Sequence, residues 1–514
     1  MSDSALVIET AAGSIRGSAL NGVASWKGIR YAQPPVGALR WRAPRATQPW
    51  DGIIDALDCG PAAPQAISPV FAMGDAAVFD EDCLSLNVWR ATDAASALPV
   101  MVWIHGGAYA FGSSRQPLYD GAKFASTGEV LLVTINYRVG ALGFLDLSSF
   151  STPHAEFDSN LALRDVLLAL TWVRENIAAF GGDAGNVTVF GESAGGGLVT
   201  TLLAVPDAAG LFHRAIAQSS PVSSMYDSAR AAGVAERILA ELAIPASQVA
   251  SLRDVPVADL VAAGTAVYAA VPLEEPGMLA FAPVIDGVLI PEHPVTALTE
   301  GRGLPVPLMI GTNKDEAALF KFMKSPLIPI TEQAITQMLT AIAAERPDLE
   351  LPTREQLLAA YMGVRANAIG LGIARDIGFR MPTLWVAEGH ARAAPVWLYR
   401  FDYATLMLRI IGLGATHGTE LPYVWGNLET GQKDITFKLG GRSSGQAISE
   451  RMQRRWRSFA VTGSPTTPDD ELEWAMFEPD GDRATLVIDR HDSLVLDLDA
   501  PLRAAWGDEV LSFR

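Results

Sequence analysis

The chain is short of almost everything that marks a disulfide-stapled, metal-binding or nucleic-acid-binding protein. Two cysteines in 514 residues cannot build a disulfide framework. There is no CxxC, no HExxH and no Cys/His cluster at metal-ligand spacing, so neither a metal nor a cofactor is expected. Basic residues are outnumbered, 39 Lys and Arg against 57 Asp and Glu, for a net charge of −18 at pH 7. That balance argues against nucleic acid and anionic membrane as partners. No window offers about 20 uninterrupted apolar residues, so no membrane span is expected. Residues 1–10 show neither a basic n-region nor a long apolar run, which reads as a cytoplasmic protein without a signal peptide. No repeat, low-complexity tract or Ser/Gly linker divides the sequence, so residues 1–514 are read as one elaborated domain. A chain that is 49% hydrophobic and 19% charged has ample material for a large core. A monomer or small homo-oligomer is expected.

Apolar runs of strand length fall at 100–105, 130–137, 187–190, 214–218, 306–310, 396–401 and 486–489. Between the second and third, Leu163, Val166, Leu167, Leu170, Val173 and Ile177 recur at spacings of 3 and 4 or close to it, the stripe of a helix that glycines 181 and 182 end. Strands separated by helices predict an α/β fold with a large, mostly parallel central sheet. Residues 228–270 and 331–380 are Ala- and Leu-rich and read as helical insertions, and residues 61–80 as a long surface loop. In such sheets ligands sit at the carboxyl ends of the strands.

One strand end carries chemistry. The run 186–190 leads into Gly191-Glu192-Ser193-Ala194-Gly195 and then a small-residue helix. G-x-S-x-G between strand and helix is a nucleophile-elbow pattern, whose sharp turn exposes the serine Oγ to a carbonyl carbon. A plain Gly-rich turn is the competing reading. A second strand ends in His105-Gly106-Gly107-Ala108, a loop of the kind that offers backbone N–H groups to an oxyanion. With the residue after the serine, Gly107, Ala108 and Ala194 are the expected donors. Glu192 beside the serine, and Ser219 at the next strand end, are candidates for the layer behind the site.

A serine nucleophile needs a base and an orienting carboxylate. Of seven histidines, His213, His293, His390, His417 and His491 follow Ser193, as the Ser–acid–His order requires. His417, in a Gly-rich loop, is the first candidate; His491 and His390 are the alternatives. Asp315 and Glu316 both end the strand 306–313. Either could orient an imidazole, and the pattern alone does not choose.

These segments together resemble the type-B carboxylesterase/cholinesterase family of α/β hydrolases, in particular its bacterial p-nitrobenzyl-esterase-like branch. The likeness runs through Trp26-Lys-Gly-Ile-Arg-Tyr-Ala, Glu81-Asp-Cys-Leu, Trp103-Ile-His-Gly-Gly-Ala108, Asn136-Tyr-Arg, Phe190-Gly-Glu-Ser-Ala-Gly195, Gly311-Thr-Asn-Lys-Asp-Glu316 and His417-Gly-Thr-Glu420. It implies an α/β-hydrolase fold and a triad of Ser193, Glu316 and His417. It implies an oxyanion hole of Gly107, Ala108 and Ala194, and structural ion pairs Arg40–Glu81 and Arg138–Asp165. The implied partner is a small, uncharged ester, cleaved through an acyl-enzyme, with activity rising as His417 loses its proton. A carbamate or amide hydrolase with the same triad is the alternative, and a non-catalytic binding protein a more distant one. Three departures stand out. Ala108 replaces a third glycine. Ala63 stands where the family's early disulfide has a cysteine, leaving Cys59 and Cys83 as a pair that a reducing cytosol disfavours. No Trp lies between those cysteines to hold a quaternary ammonium. Leu406, Met407, Ile410 and Ile411, upstream of His417, suit either an apolar pocket or core packing.

Overall fold

The apolar runs pair side by side. The computed structural model describes residues 6–513 apart from 69–72, 75, 76, 363, 430–433, 469, 508 and 509. Its main sheet is built from β1 (Ser18–Leu20), β2 (Val23–Arg30), β3 (Ser85–Ala91), β4 (Leu98–Ile104), β5 (Leu131–Ile135), β6 (Gly182–Glu192), β7 (Arg214–Gln218), β8 (Leu308–Asn313), β9 (Val396–Phe401), β10 (Thr485–Ile488) and β11 (Ser493–Val495). The spatial order is β11-β10-β9-β8-β7-β6-β4-β5-β3-β2-β1. From β5 through β10 every pairing is parallel. The flanking strands at both edges run antiparallel. This is the α/β-hydrolase arrangement, with all seven predicted runs in the parallel part.

The sheet is covered on both faces, which is why its strands read as nearly continuous apolar runs. On β4, Val100, Val102 and Ile104 join one core cluster, while Met101 and Trp103 join the other. The first cluster is capped by α1 (Leu161–Asn176) and α2 (Ala194–Leu202), through Leu163, Val166, Leu170, Leu198 and Leu202. The second lies under α3 (Arg442–Thr462), through Ile448, Met452, Trp456 and Phe459. The edge strands β1, β2, β3 and β11 were not legible as strands. β3 is buried at six of its seven positions, yet it carries Asn87 and Arg90. Asn87 survives inside because its amide donates to Thr134 Oγ1 and its carbonyl accepts from Gly28 N–H.

Helical insertions surround this body. Residues 228–270 give Ser228–Glu241 and the start of Val257–Glu274; residues 331–380 give Glu332–Glu345, Arg354–Ala360, Ala366–Arg375 and a π-helical turn, Asp376–Arg380. Val257–Glu274 is long and apolar enough to cross a membrane by length and composition, but Leu260, Ala263, Gly264, Val267 and Val271 pack it onto the body. The predicted loop 61–80 lies partly outside the described residues; Ala62 bridges to Phe79. Both expected ion pairs are present. Arg40 meets Glu81 through two bonds of 2.6 Å, and Arg138 meets Asp165 through bonds of 2.8 and 2.6 Å. Arg138 and Asp165 are buried, and Arg40 is nearly so. Cys59 and Cys83 are free thiols, and Cys83 is wholly buried.

Candidate active site

The register of the sheet brings the strand ends to one place. Gly191 lies opposite Ile104 on one side and Ala217 on the other; Gln218 pairs with Glu192 and with Gly311. The turn after β6 is therefore packed between two neighbours. A Cβ at Gly195 would lie 2.0 Å from Ile104 O, so only glycine fits. Ser193 takes φ 58° and ψ −125°, a conformation that costs on the order of 1–3 kcal/mol for a non-glycine residue. Ser193 N–H donates to Gln218 O at 2.9 Å, and Gly197 N–H to Ser193 O at 2.8 Å, which hold the turn in place.

Ser193 Oγ stands 2.8 Å from His417 Nε2, and His417 Nδ1 stands 2.7 Å from Glu316 Oε2. With the proton on Nδ1 donated to Glu316, Nε2 is left to accept from the serine hydroxyl. Glu316 Oε1 accepts from Asn313 N–H at 2.7 Å and from Ser219 Oγ at 2.5 Å. Asp315 does different work: its backbone and carboxylate bond Ala415, at 2.9 and 3.1 Å, pinning the loop that carries the histidine. The geometry thus separates the two acids that the sequence pattern left equivalent. The other histidines are elsewhere. His390 is buried with Nε2 2.7 Å from Val306 O, and His491 is exposed. The Ser220 hydroxyl pairs with Thr200 Oγ1 at 2.8 Å.

The loop after β4 lies beside the serine. Gly107 has φ 129°, and a Cβ there would stand 2.2 Å from Phe111 O. Ala108 has φ 50°, the left-handed conformation that a third glycine would adopt without strain. The Gly107, Ala108 and Ala194 N–H groups meet no acceptor among the described residues. Ala108, Ser193 and Ala194 line one cleft. None of its described lining residues is charged. Leu406, Met407, Ile410 and Ile411 are not among them. They form an outer helix and its end, with Leu406 and Ile410 exposed, so neither a pocket nor a core role holds for those two.

Several residues at the site carried no readable signal. Glu420 is fully buried and accepts from Gln218 Nε2 at 3.0 Å and from the Asn313 amide. Its only trace was its place three residues after His417. Phe379, on the π-helical turn, and Phe320 face the imidazole with centroid distances of 4.5 and 5.4 Å. Phe379 comes from the insertion 331–380 and Phe320 from the short helix Ala318–Phe322, and neither stands in a motif.

Four ionisable groups meet here. Burial pushes the Glu192 carboxyl up to about 8, with Glu420 and Glu316 reinforcing it and His417 opposing it. Burial alone would lower His417, but Glu192, Glu316 and Glu420 outweigh it and raise the imidazole to about 9. Glu192 Oε1 is 3.3 Å from His417 Nε2 and has no hydrogen-bond partner among the described residues. A protonated Glu192 no longer attracts the imidazolium, so the two titrate as one unit. The direction for both is upward. The arrangement can draw a proton off Ser193 and stabilise the imidazolium that results. No group of three or more His, Cys, Asp or Glu among the described residues is set to hold a metal ion.

Comparison with known proteins agrees with this chemistry. The model of the carboxylesterase family matches residues 4–500. The chain is 37% identical over 489 residues to the para-nitrobenzyl esterase of Bacillus subtilis (strain 168), covering 94% of each. It is 32% identical over 510 residues to phenmedipham hydrolase of Pseudarthrobacter oxydans, covering 96% of this chain and 97% of that one. A solved structure of a PNB esterase superposes with a TM-score of 0.83 at 38% identity, covering 97% of this chain and 98% of that one.

Proposed function

The chain belongs to the carboxylesterase family of carboxylic ester hydrolases, and on that footing we propose that it cleaves uncharged carboxylic esters through an acyl-enzyme on Ser193. The observation that carries the reading is the unbroken chain of contacts Ser193 Oγ to His417 Nε2 at 2.8 Å and His417 Nδ1 to Glu316 at 2.7 Å. It ends at the edge of a cleft that carries no charge.

His417 takes the Ser193 proton as Oγ attacks the ester carbonyl carbon. The negative charge moves to the carbonyl oxygen, where the free N–H groups of Gly107, Ala108 and Ala194 receive it. Donors of this kind contribute about 10²–10³ each to rate because they are aimed before the charge forms. The Glu316 carboxylate, fixed by Asn313 and Ser219, keeps the imidazole oriented and offsets its positive charge. Collapse breaks the carbon–oxygen bond to the alcohol, which leaves with the proton from His417 Nε2. Water then enters, His417 takes its proton, and the same steps release the acid and restore Ser193. Phe379 and Phe320 shield the imidazole face from bulk water, which strengthens each of these interactions. We place the reaction in the cytoplasm, on a monomer or small homo-oligomer.

The test pairs the parent with Ser193→Ala on matched ester, carbamate and anilide substrates. The reading predicts that the ester is turned over fastest and that the variant loses several orders of magnitude in kcat. Substantial ester hydrolysis by the variant, or preference for the carbamate or anilide, contradicts it.

A further inference from the structure

Part of the cleft wall comes from a stretch of chain that no motif marks. Leu511 and Phe513 line the same cleft as Ser193 and are 2% and 7% exposed. The Phe513 ring also stacks under Arg230, whose Cζ is 4.8 Å from the ring centroid. Arg230 belongs to a different hollow, lined by Arg237, Glu275 and Glu345 as well. It is ion-paired there with Glu275 at 2.9 Å and with Glu345. The ring thus stands between an apolar cleft and a polar hollow. The packing around it is close: a Cβ on Gly277 would lie 3.5 Å from Phe513 Cε2 and 2.5 Å from Met338 Sδ. The stretch that leads to Phe513 is anchored. Asp499 is ion-paired with buried Arg380, and Trp506 donates to Tyr361 Oη at 3.3 Å.

We infer that Phe513 is the specificity-determining residue that sets how long an apolar substituent the cleft accepts. This rests on the ester-hydrolase reading above. A substituent entering past Ser193 buries methylene groups along Met338 and Leu511 until it meets the ring. Each methylene buried is worth about 0.8 kcal/mol, or about fourfold in kcat/KM. Beyond the ring, further methylenes have no room and add nothing. Removing the ring lengthens the space open to the substituent; enlarging the ring shortens it.

The experiment compares the parent with Phe513→Ala and Phe513→Trp on two ester series, p-nitrophenyl esters of lengthening acids and acetates of lengthening alcohols. The readout is the ratio of kcat/KM for the octyl-length member to the shortest member, so a general loss of activity cancels. In the series whose variable end enters the cleft, Phe513→Ala raises the ratio by about tenfold or more. Phe513→Trp lowers it. Ratios unchanged in both series for Phe513→Ala, or shifted the same way by both substitutions, overturn the inference. Failure of the parent reading looks different: the parent then hydrolyses neither series, or Ser193→Ala hydrolyses them as well as the parent does.

Discussion

Replacing Glu192 by glutamine removes the carboxylate that stands 3.3 Å from the imidazole nitrogen facing the serine. Glutamine keeps the shape and takes away the charge. At this 3.3 Å separation a unit charge pair is worth about 1.3 kcal/mol at the dielectric constant of water and about 5 kcal/mol at an effective value near 20. One pKa unit corresponds to about 1.36 kcal/mol, so losing Glu192 lowers the His417 value by about one unit at least. The sign follows from the role of the base. Only neutral imidazole accepts the serine proton, so kcat/KM rises with pH through the His417 titration. The carboxylates hold that titration up, at about 9. Glu192, itself raised to about 8, shares the titration, so the parent's acid limb reports the pair rather than one group. Glu192→Gln uncouples them and moves the acid limb to lower pH by about one unit or more. The assay is kcat/KM for p-nitrophenyl acetate between about pH 5 and pH 10. Its plateau also falls, because the same carboxylate stabilises the imidazolium formed during attack. An acid limb that stays in place, or moves to higher pH, refutes the electrostatic account of Glu192.

Three further perturbations test other layers. Gly107→Ala puts a methyl 2.2 Å from Phe111 O, forces the loop to shift and takes its N–H groups off target. It lowers kcat by about 10²–10³ while the circular dichroism spectrum stays that of the parent, and a fully active variant contradicts the loop's role. Ser219→Ala deletes the 2.5 Å hydrogen bond onto Glu316. A bond to a charged group is worth about 1.5–3 kcal/mol, so kcat/KM falls about tenfold or more; no change means Asn313 alone suffices to hold the acid. Asp165→Asn leaves Arg138 charged and buried without its partner. It costs about 3–5 kcal/mol in urea unfolding, and a loss below about 1 kcal/mol shows the pair to be dispensable.

The parallel strands were legible because burial on both faces removes polar residues from them, as in β5, Leu131–Ile135, where every position is buried. The edge strands were not, because their polar side chains are satisfied by partners far away in the chain, as Asn87 is by Thr134. The serine and the N–H loop were legible because turn geometry demands glycine at fixed offsets, a local constraint. Which carboxylate faces the imidazole was only half legible. Asp315 and Glu316 differ by one position at the end of β8, and what separates them is which carboxylate meets a loop a hundred residues later. The walls of the cleft were not legible at all. Phe379, Met338 and Phe513 line it together from an insertion and a distant stretch near residue 513, whose sequences say only that they are helical or apolar.

The central claim is that Ser193 is the nucleophile. A fluorophosphonate reports on it directly, since only an activated hydroxyl displaces fluoride from phosphorus at a useful rate. After partial inactivation, peptide mass spectrometry is compared with residual esterase activity. The account predicts a single phosphonylated site, Ser193, with labelled fraction equal to the activity lost, and no labelling in His417→Ala. Loss of activity with Ser193 unlabelled, or full activity with Ser193 labelled, contradicts it.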